Sequence, residues 1–152
     1  MTAHTELIKV EEEKISSEKA KNFILSEKNG AESIFVGRVR NENSGKKVTA
    51  VTYDAHDQAV IKLFQSICNC AKDKFDSDAN IFLEHAKGYV PVGEISILIA
   101  VGSEHRDEAF KICRYILEEV KHQSPIWKKE HYVEGTEEWL PGHSLRPKEE
   151  VK

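Results

Sequence analysis

Three groups of cations carry the chemistry this sequence can support: Arg40, the pair His105-Arg106, and Lys121 with Lys128. Guanidinium forks and ammonium groups suit phosphate or carboxylate anions. Two ammonium groups held close together disfavour double protonation, which lowers a lysine pKa and fits the amine for proton transfer or nucleophilic attack near neutral pH. The concentration is greatest in Lys121-His122-Gln123-Ser124-Pro125-Ile126-Trp127-Lys128-Lys129-Glu130, and it stands out in a chain of net charge -4. Plainer readings fit the same residues. A cation in the last turn of a helix is favourable by itself, and His105-Arg106 also suits a first turn that faces water. Pro125 stops helical continuation, so a strand beginning at Ile126 would return Lys128 toward Lys121, while strand alternation turns Lys129 the other way. Trp127 reads as a core or interface anchor.

The elements that must position these groups follow from periodicity. Leu7 to Val10 suits a short edge strand before the solvated Glu11-Glu12-Glu13 turn. Ser16 or Ser17 caps a helix with Ala20, Phe23 and Ile24 on one face, ending near Asn29-Gly30. Residues 33 to 40 and 48 to 53 read as strands joined across Asn41-Glu42-Asn43-Ser44-Gly45, a hairpin. Val60, Leu63, Phe64, Ile67 and Ala71 mark a long helix that breaks at Asp76-Ser77-Asp78. Ile81 to Glu84 is a strand, and Ile95 to Val101 is so continuously apolar that a central strand covered on both faces is expected. Ser103 caps a helix whose inward stripe is Ala109, Ile112, Ile116 and Val120, and residues 126 to 133 return as a strand. Gly37 and Gly93 suggest close backbone approach. Helices and strands intermix without a strict βαβ rhythm, so the class is α+β, one sheet with helices packed on it.

Composition excludes several classes of function. At 152 residues, one core suffices, and the longest apolar run is far too short to cross a bilayer. Met1 to Glu6 has no basic-then-apolar leader and the three cysteines have no framework spacing, so a reducing cytoplasm is the expected compartment. Cys68 and Cys70 lie two apart on a helix, on divergent faces, and cannot easily clasp one metal. His85 and His105 lack a metal-binding spacing, and no phosphate-loop or dinucleotide fingerprint is present, so neither metal nor cofactor is expected. Ile34-Phe35-Val36-Gly37 with Lys87-Gly88-Tyr89-Val90 loosely matches the short motifs of a single-strand RNA-binding domain. Pro91 and the acidic balance argue against it, and no nucleic-acid partner is expected.

The ordered set Phe35 to Arg40, Val92-Gly93-Glu94, Ser103 to Phe110, and Lys121 to Glu130 with Trp139 resembles the large, catalytic subunit of molybdopterin synthase, over about residues 16 to 139. The resemblance implies a single-domain α/β hammerhead fold with a mixed or antiparallel sheet over residues 1–140 and a polar tail over 141–152. It implies a homodimer within a heterotetramer, with a small ubiquitin-like sulfur-carrier subunit at each end. The carrier's C-terminal Gly-Gly thiocarboxylate would deliver sulfur to cyclic pyranopterin monophosphate, making the dithiolene of molybdopterin. In those roles Lys121 resembles the essential lysine, Lys128 the second lysine, Arg40 with His105 and Arg106 the anion-binding residues, and Phe35 an apolar pocket wall. His143 or Arg146 resembles a C-terminal contribution to the neighbouring protomer. After the histidine of Glu84-His85-Ala86-Lys87-Gly88 the family commonly has arginine, and Lys87 replaces that charge only if it reaches the same side. That departure keeps a second reading, a carrier-binding module without turnover.

Overall fold

The computed structural model describes residues 2–141. In chain order the elements are β1 (Ala3–Lys9), α1 (Ser17–Ile24), β2 (Ala31–Arg38), β3 (Glu42–Asn43), β4 (Lys46–Ala55), α2 (Asp57–Lys74), β5 (Asn80–Pro91), β6 (Ile95–Ser103), α3 (Arg106–Gln123), β7 (Ile126–Tyr132) and β8 (Glu137–Trp139). The main sheet path runs β2-β6-β5-β4-β7-β8. β1 lies parallel to β5 and the other pairings are antiparallel, so the sheet is mixed.

The registers sort the side chains between two faces. Phe35, Ile99 and Leu83 align in one row across β2, β6 and β5, and Gly37, Ile97 and His85 in the next. Directly opposed residues share a face, and Cys113 of α3 hydrogen-bonds Ser33 and Phe35, so this face lies under α3. The alternate residues Phe82, Glu84 and Ala86 face the other way, where Phe23 of α1 and His4 of β1 meet the Phe82 ring. Both faces of β5 and β6 are therefore covered, and Ile81 through Leu83 and Leu98 through Val101 are fully buried. The central-strand reading of β6 holds. The stripes Val60, Phe64, Ile67, Ala71 on α2 and Ala109, Ile112, Ile116, Val120 on α3 are buried as their periodicity requires.

Several local expectations are corrected. β2 pairs with β6 and not with β4, because the segment before β4 forms its own turn. Ser44 (φ 50°) and Gly45 (φ 81°) close a two-residue hairpin between β3 and β4, the positive-φ pair that matches strand twist. α1 ends at Ile24, well before Gly30, with Leu25 extended at its C-cap. Ser103 does not cap α3. Its hydroxyl donates to Asp76 (2.5 Å), and His105 occupies the cap position without a side-chain bond. Gly37 does sit in close approach, since a Cβ there would meet Ile97 Cγ2 at 2.5 Å. Gly93 does not: nothing lies within 4 Å, and its φ of 88° shows that it serves the turn from Pro91 to Glu94. β1 begins at Ala3, four residues before the expected start at Leu7, and β8 is an element that periodicity did not show. Of the polar tail, only Pro141 falls within the described residues.

Ile126 is fully buried where β7 leaves the α3 turn. Ile126→Ala should cost about 2–5 kcal/mol, read as a lower urea midpoint at unchanged slope.

Candidate active site

α3 ends because Pro125 cannot continue it. The Ser124 N–H closes the last turn on the Val120 carbonyl (3.2 Å), and the Ile126 N–H donates to the Ser124 carbonyl (2.8 Å), a three-residue inverse turn for which the fixed φ of proline is suited. His56 N–H holds the Pro125 carbonyl (3.2 Å) and ties the reversal to the start of α2. β7 then runs against β4 with Lys128 opposite Tyr53. Ile126, Lys128, Glu130 and Tyr132 share one side of β7; all but Lys128 are buried, and Lys128 is half-buried.

This reversal brings Lys128 into the field of Lys121 and Arg40. The Lys128 pKa is lowered, first by burial, then by the Lys121 ammonium and also by Arg40, while Glu130 pulls it back up. Lys129 turns away as strand alternation requires: it pairs with Glu137 (3.1 Å) and lies 5.2 Å over the Trp139 ring. No ion pair among the described residues involves Lys121, Lys128 or Arg40. Arg40 is exposed just beyond β2, where Val39 exchanges hydrogen bonds with the Gly93–Glu94 turn (2.8 and 3.1 Å).

Two further groups belong to this cluster and were not read from the sequence as parts of it. His85, weighed above only as a metal ligand, is 1% exposed, and its Nδ1 lies 2.8 Å from the Ala86 carbonyl. A carbonyl only accepts, so Nδ1 carries the proton and Nε2 keeps its lone pair. Burial first, then Lys128 and Lys121, push its pKa down to about 4, so the imidazole is neutral at pH 7. Its ring meets Tyr53 edge-on at 5.1 Å. Glu130 is buried and accepts from Asn43 Nδ2 (2.8 Å) and the Tyr132 hydroxyl (2.9 Å), which orient the carboxylate on the Lys128 side of the strand. The available signal was parity, since Glu130 stands two residues from Lys128.

The other expected site residues divide. Phe35 is half-buried on the His85 face of the sheet, one row away. His105 and Arg106 are exposed at the opposite end of α3, about 22 Å from Lys121 at 1.5 Å per residue, so within one chain they do not join the lysines. Lys87 does not replace the missing arginine charge. It pairs with Asp57 at the start of α2 (2.5 Å), and Ala86 is fully buried. His143 and Arg146 lie outside the described residues.

Comparison with known proteins gives a consistent result. A family model described as MoaE protein matches residues 10–123. The chain is 41% identical over 126 residues to the molybdopterin synthase catalytic subunit of Synechococcus elongatus, covering 83% of this chain and 76% of that one. To the protein of the same description from Pyrococcus abyssi it is 42% identical over 131 residues, 86% of each. Among solved structures it resembles molybdopterin synthase from Staphylococcus aureus, with a TM-score of 0.82 at 30% identity, covering 90% of this chain and 96% of that one. A complex of subunits 1 and 2 of molybdopterin-converting factor from Helicobacter pylori shares the fold, with a TM-score of 0.74 at 21% identity over 97% of both chains.

Two outcomes follow from the electrostatics. Lys121→Met should raise the Lys128 pKa toward the ordinary lysine value, read by NMR titration of labelled lysine side chains. For His85 the unfolded chain takes a proton near pH 6.5 and the folded chain only near 4. Stability should therefore fall as pH drops through that window, and His85→Gln should flatten this part of the pH profile in urea melts at pH 7 and 5.

Proposed function

The chain belongs to the MoaE protein family, and from that premise we propose that Lys121, Lys128 and Arg40 form the pocket in which a carrier's thiocarboxylate meets the pterin substrate. The activity is that of a molybdopterin synthase catalytic subunit, a sulfurtransferase of molybdenum cofactor biosynthesis. What supports the pocket reading is one observation: a half-buried lysine amine stands beside two further cations, and none of the three has an ion-pair partner among the described residues. Such an arrangement is stabilised by anions, and this reaction brings two, the C-terminal Gly-Gly thiocarboxylate of a small ubiquitin-like carrier and the phosphate of cyclic pyranopterin monophosphate.

The two lysines divide the work. Lys121, exposed at the end of α3, meets the carrier's C-terminus. Lys128, with its pKa lowered by burial and by the Lys121 ammonium, gives up a proton more readily than an ordinary lysine and is the proton-transfer group as sulfur changes partners. Neutral His85 lines the pocket without adding a charge that would repel them. Arg40 holds the phosphate, and Phe35 walls the same sheet face. No metal or cofactor enters these steps.

The length of α3 supports the partner assignment that the family resemblance implies. A straight helix cannot bring His105 and Arg106 to the lysines of the same chain, so these two serve the pocket of a second copy, in a homodimer that carries one small subunit at each end. The family resemblance gives His143 or Arg146 a contribution to the neighbouring protomer's pocket. The complex works in the cytoplasm, where free Cys68, Cys70 and Cys113 stay reduced. Among the described residues no helix is long and apolar enough to cross a membrane.

Incubation with a thiocarboxylated carrier and the cyclic pterin should yield the dithiolene product, and Lys121→Ala should slow its formation by about 10²–10³-fold, the range for a lost preorganised group that stabilises a reacting anion. Near-normal product from that variant would reject the assignment. Cross-chain supply of Arg106 is tested by mixing inactive Lys121→Ala and Arg106→Ala subunits: a two-fold dimer should regain about a quarter of wild-type activity, and same-chain supply should regain none.

A further inference from the structure

The face of β5 turned away from the lysines carries a second, oppositely charged cluster. Glu84 is 1% exposed, and its Oε2 is 2.7 Å from His4 Nε2 and 3.1 Å from Lys19 Nζ. Glu6 Oε2 lies 3.7 Å from His4 Nε2, and one ligand atom from each of His4, Glu6 and Glu84 falls within 4.8 Å of the others. The parallel register of β1 on β5 sets this geometry, since it pairs His4 with Phe82 and Glu6 with Glu84. The His4 ring stacks on Phe82 at 4.7 Å, which fixes its plane.

The second Glu84 oxygen, Oε1, is buried and has no hydrogen-bond partner. A buried carboxylate oxygen without a donor is costly, and it belongs to the carboxylate at the centre of the cluster. The Lys19 ammonium stands at the cluster's mouth, 3.1, 3.6 and 3.9 Å from carboxylate oxygens of Glu84, Glu13 and Glu6. Burial works against its charge, but these carboxylates outweigh burial and raise its pKa. Lys19 is 43% exposed, so its side chain is free to swing into water. A cleft of about 230 Å³ lined in part by Glu6, Glu12 and Glu13 opens beside the cluster.

We propose that His4, Glu6 and Glu84 bind one Zn²⁺ ion, with Glu84 using both oxygens, and that the Lys19 ammonium is the competing cation which occupies the site when metal is low. One imidazole with carboxylates suits a borderline divalent ion over the harder Mg²⁺ and Ca²⁺, which prefer all-oxygen shells. Two carboxylates balance the ion's charge, and the orphan Oε1 gains a partner. Glu84 and His85 alternate across β5, so this site is separate from the sulfur-transfer pocket and is read without measuring that activity.

The test uses the full chain, stripped with a chelator and titrated with ZnCl₂ by calorimetry. Tetrahedral Co²⁺ absorption serves as a second readout. Wild type should bind a single tight equivalent. His4→Ala and the isosteric Glu84→Gln should each weaken it by at least about 10–100-fold, the loss that even an outer-shell partner causes, with circular dichroism confirming that both variants fold. Lys19→Ala should bind more tightly than wild type, because its competitor is gone. No binding by wild type, binding indifferent to His4→Ala, or weaker binding by Lys19→Ala would each overturn the proposal and leave Lys19 as the permanent partner of a buried carboxylate.

Discussion

A half-buried ammonium without an ion-pair partner among the described residues is the constraint on which this structure turns. Burial disfavours the charged form of Lys128 and the nearby cations disfavour it further. Such a group persists only where the surrounding fold leaves its side chain no alternative. Here the β4–β7 register sets it opposite Tyr53, Ile126 anchors the strand, and Glu130, two residues along and held by Asn43 and Tyr132, supplies a partly compensating charge. The stability given up at this position is what a bound anion can recover, so folding cost and binding affinity are two sides of one electrostatic arrangement.

The scaffold around the pocket is stiff for an identifiable reason. β5 and β6 are buried on both faces, and each apolar layer is set by alternation against a neighbour far along the chain. α3 docks on one face and delivers Lys121 to the end where the Gly37, Ile97 and His85 row lies. Gly37 is needed there because a side chain would collide with Ile97. The pocket floor is thus made of the same rows as the core, with a neutral imidazole where a charged one would add a fourth cation to Lys121, Lys128 and Arg40.

What could be read from the sequence was what depends on near neighbours. The stripes of α2 and α3, the apolar run of β6 and the helix stop at Pro125 are local patterns, and they yielded the placement of Lys121 and the inward turn of Lys128. What depends on distant partners was not legible. Nothing near β2 says that it pairs with β6 and not with β4, and nothing near Ser103 says that its hydroxyl is drawn to Asp76. Glu130 and His85 were missed as pocket members for the same reason, since the neighbours that place them there, Asn43 for Glu130 and Tyr53 with Lys128 for His85, lie on other strands. The separation of His105-Arg106 from Lys121 followed only once α3 was seen to be unbroken from Arg106 to Gln123.

Glu84 and His85 are consecutive, yet one lies among carboxylates and an ammonium under α1 and the other among cations under α3. The peptide bond between them is the boundary between two fields of opposite sign. A slip of β5 by one residue that set Glu84 where His85 stands would deliver a carboxylate to the lysines and turn His85 to the face of the acidic cluster. The pocket would be neutralised from within while every apolar row was also turned inside out. Single-residue insertions or deletions between Asn80 and Gly88 are therefore barred twice over, by packing and by charge, and variation in length along this chain belongs in its turns.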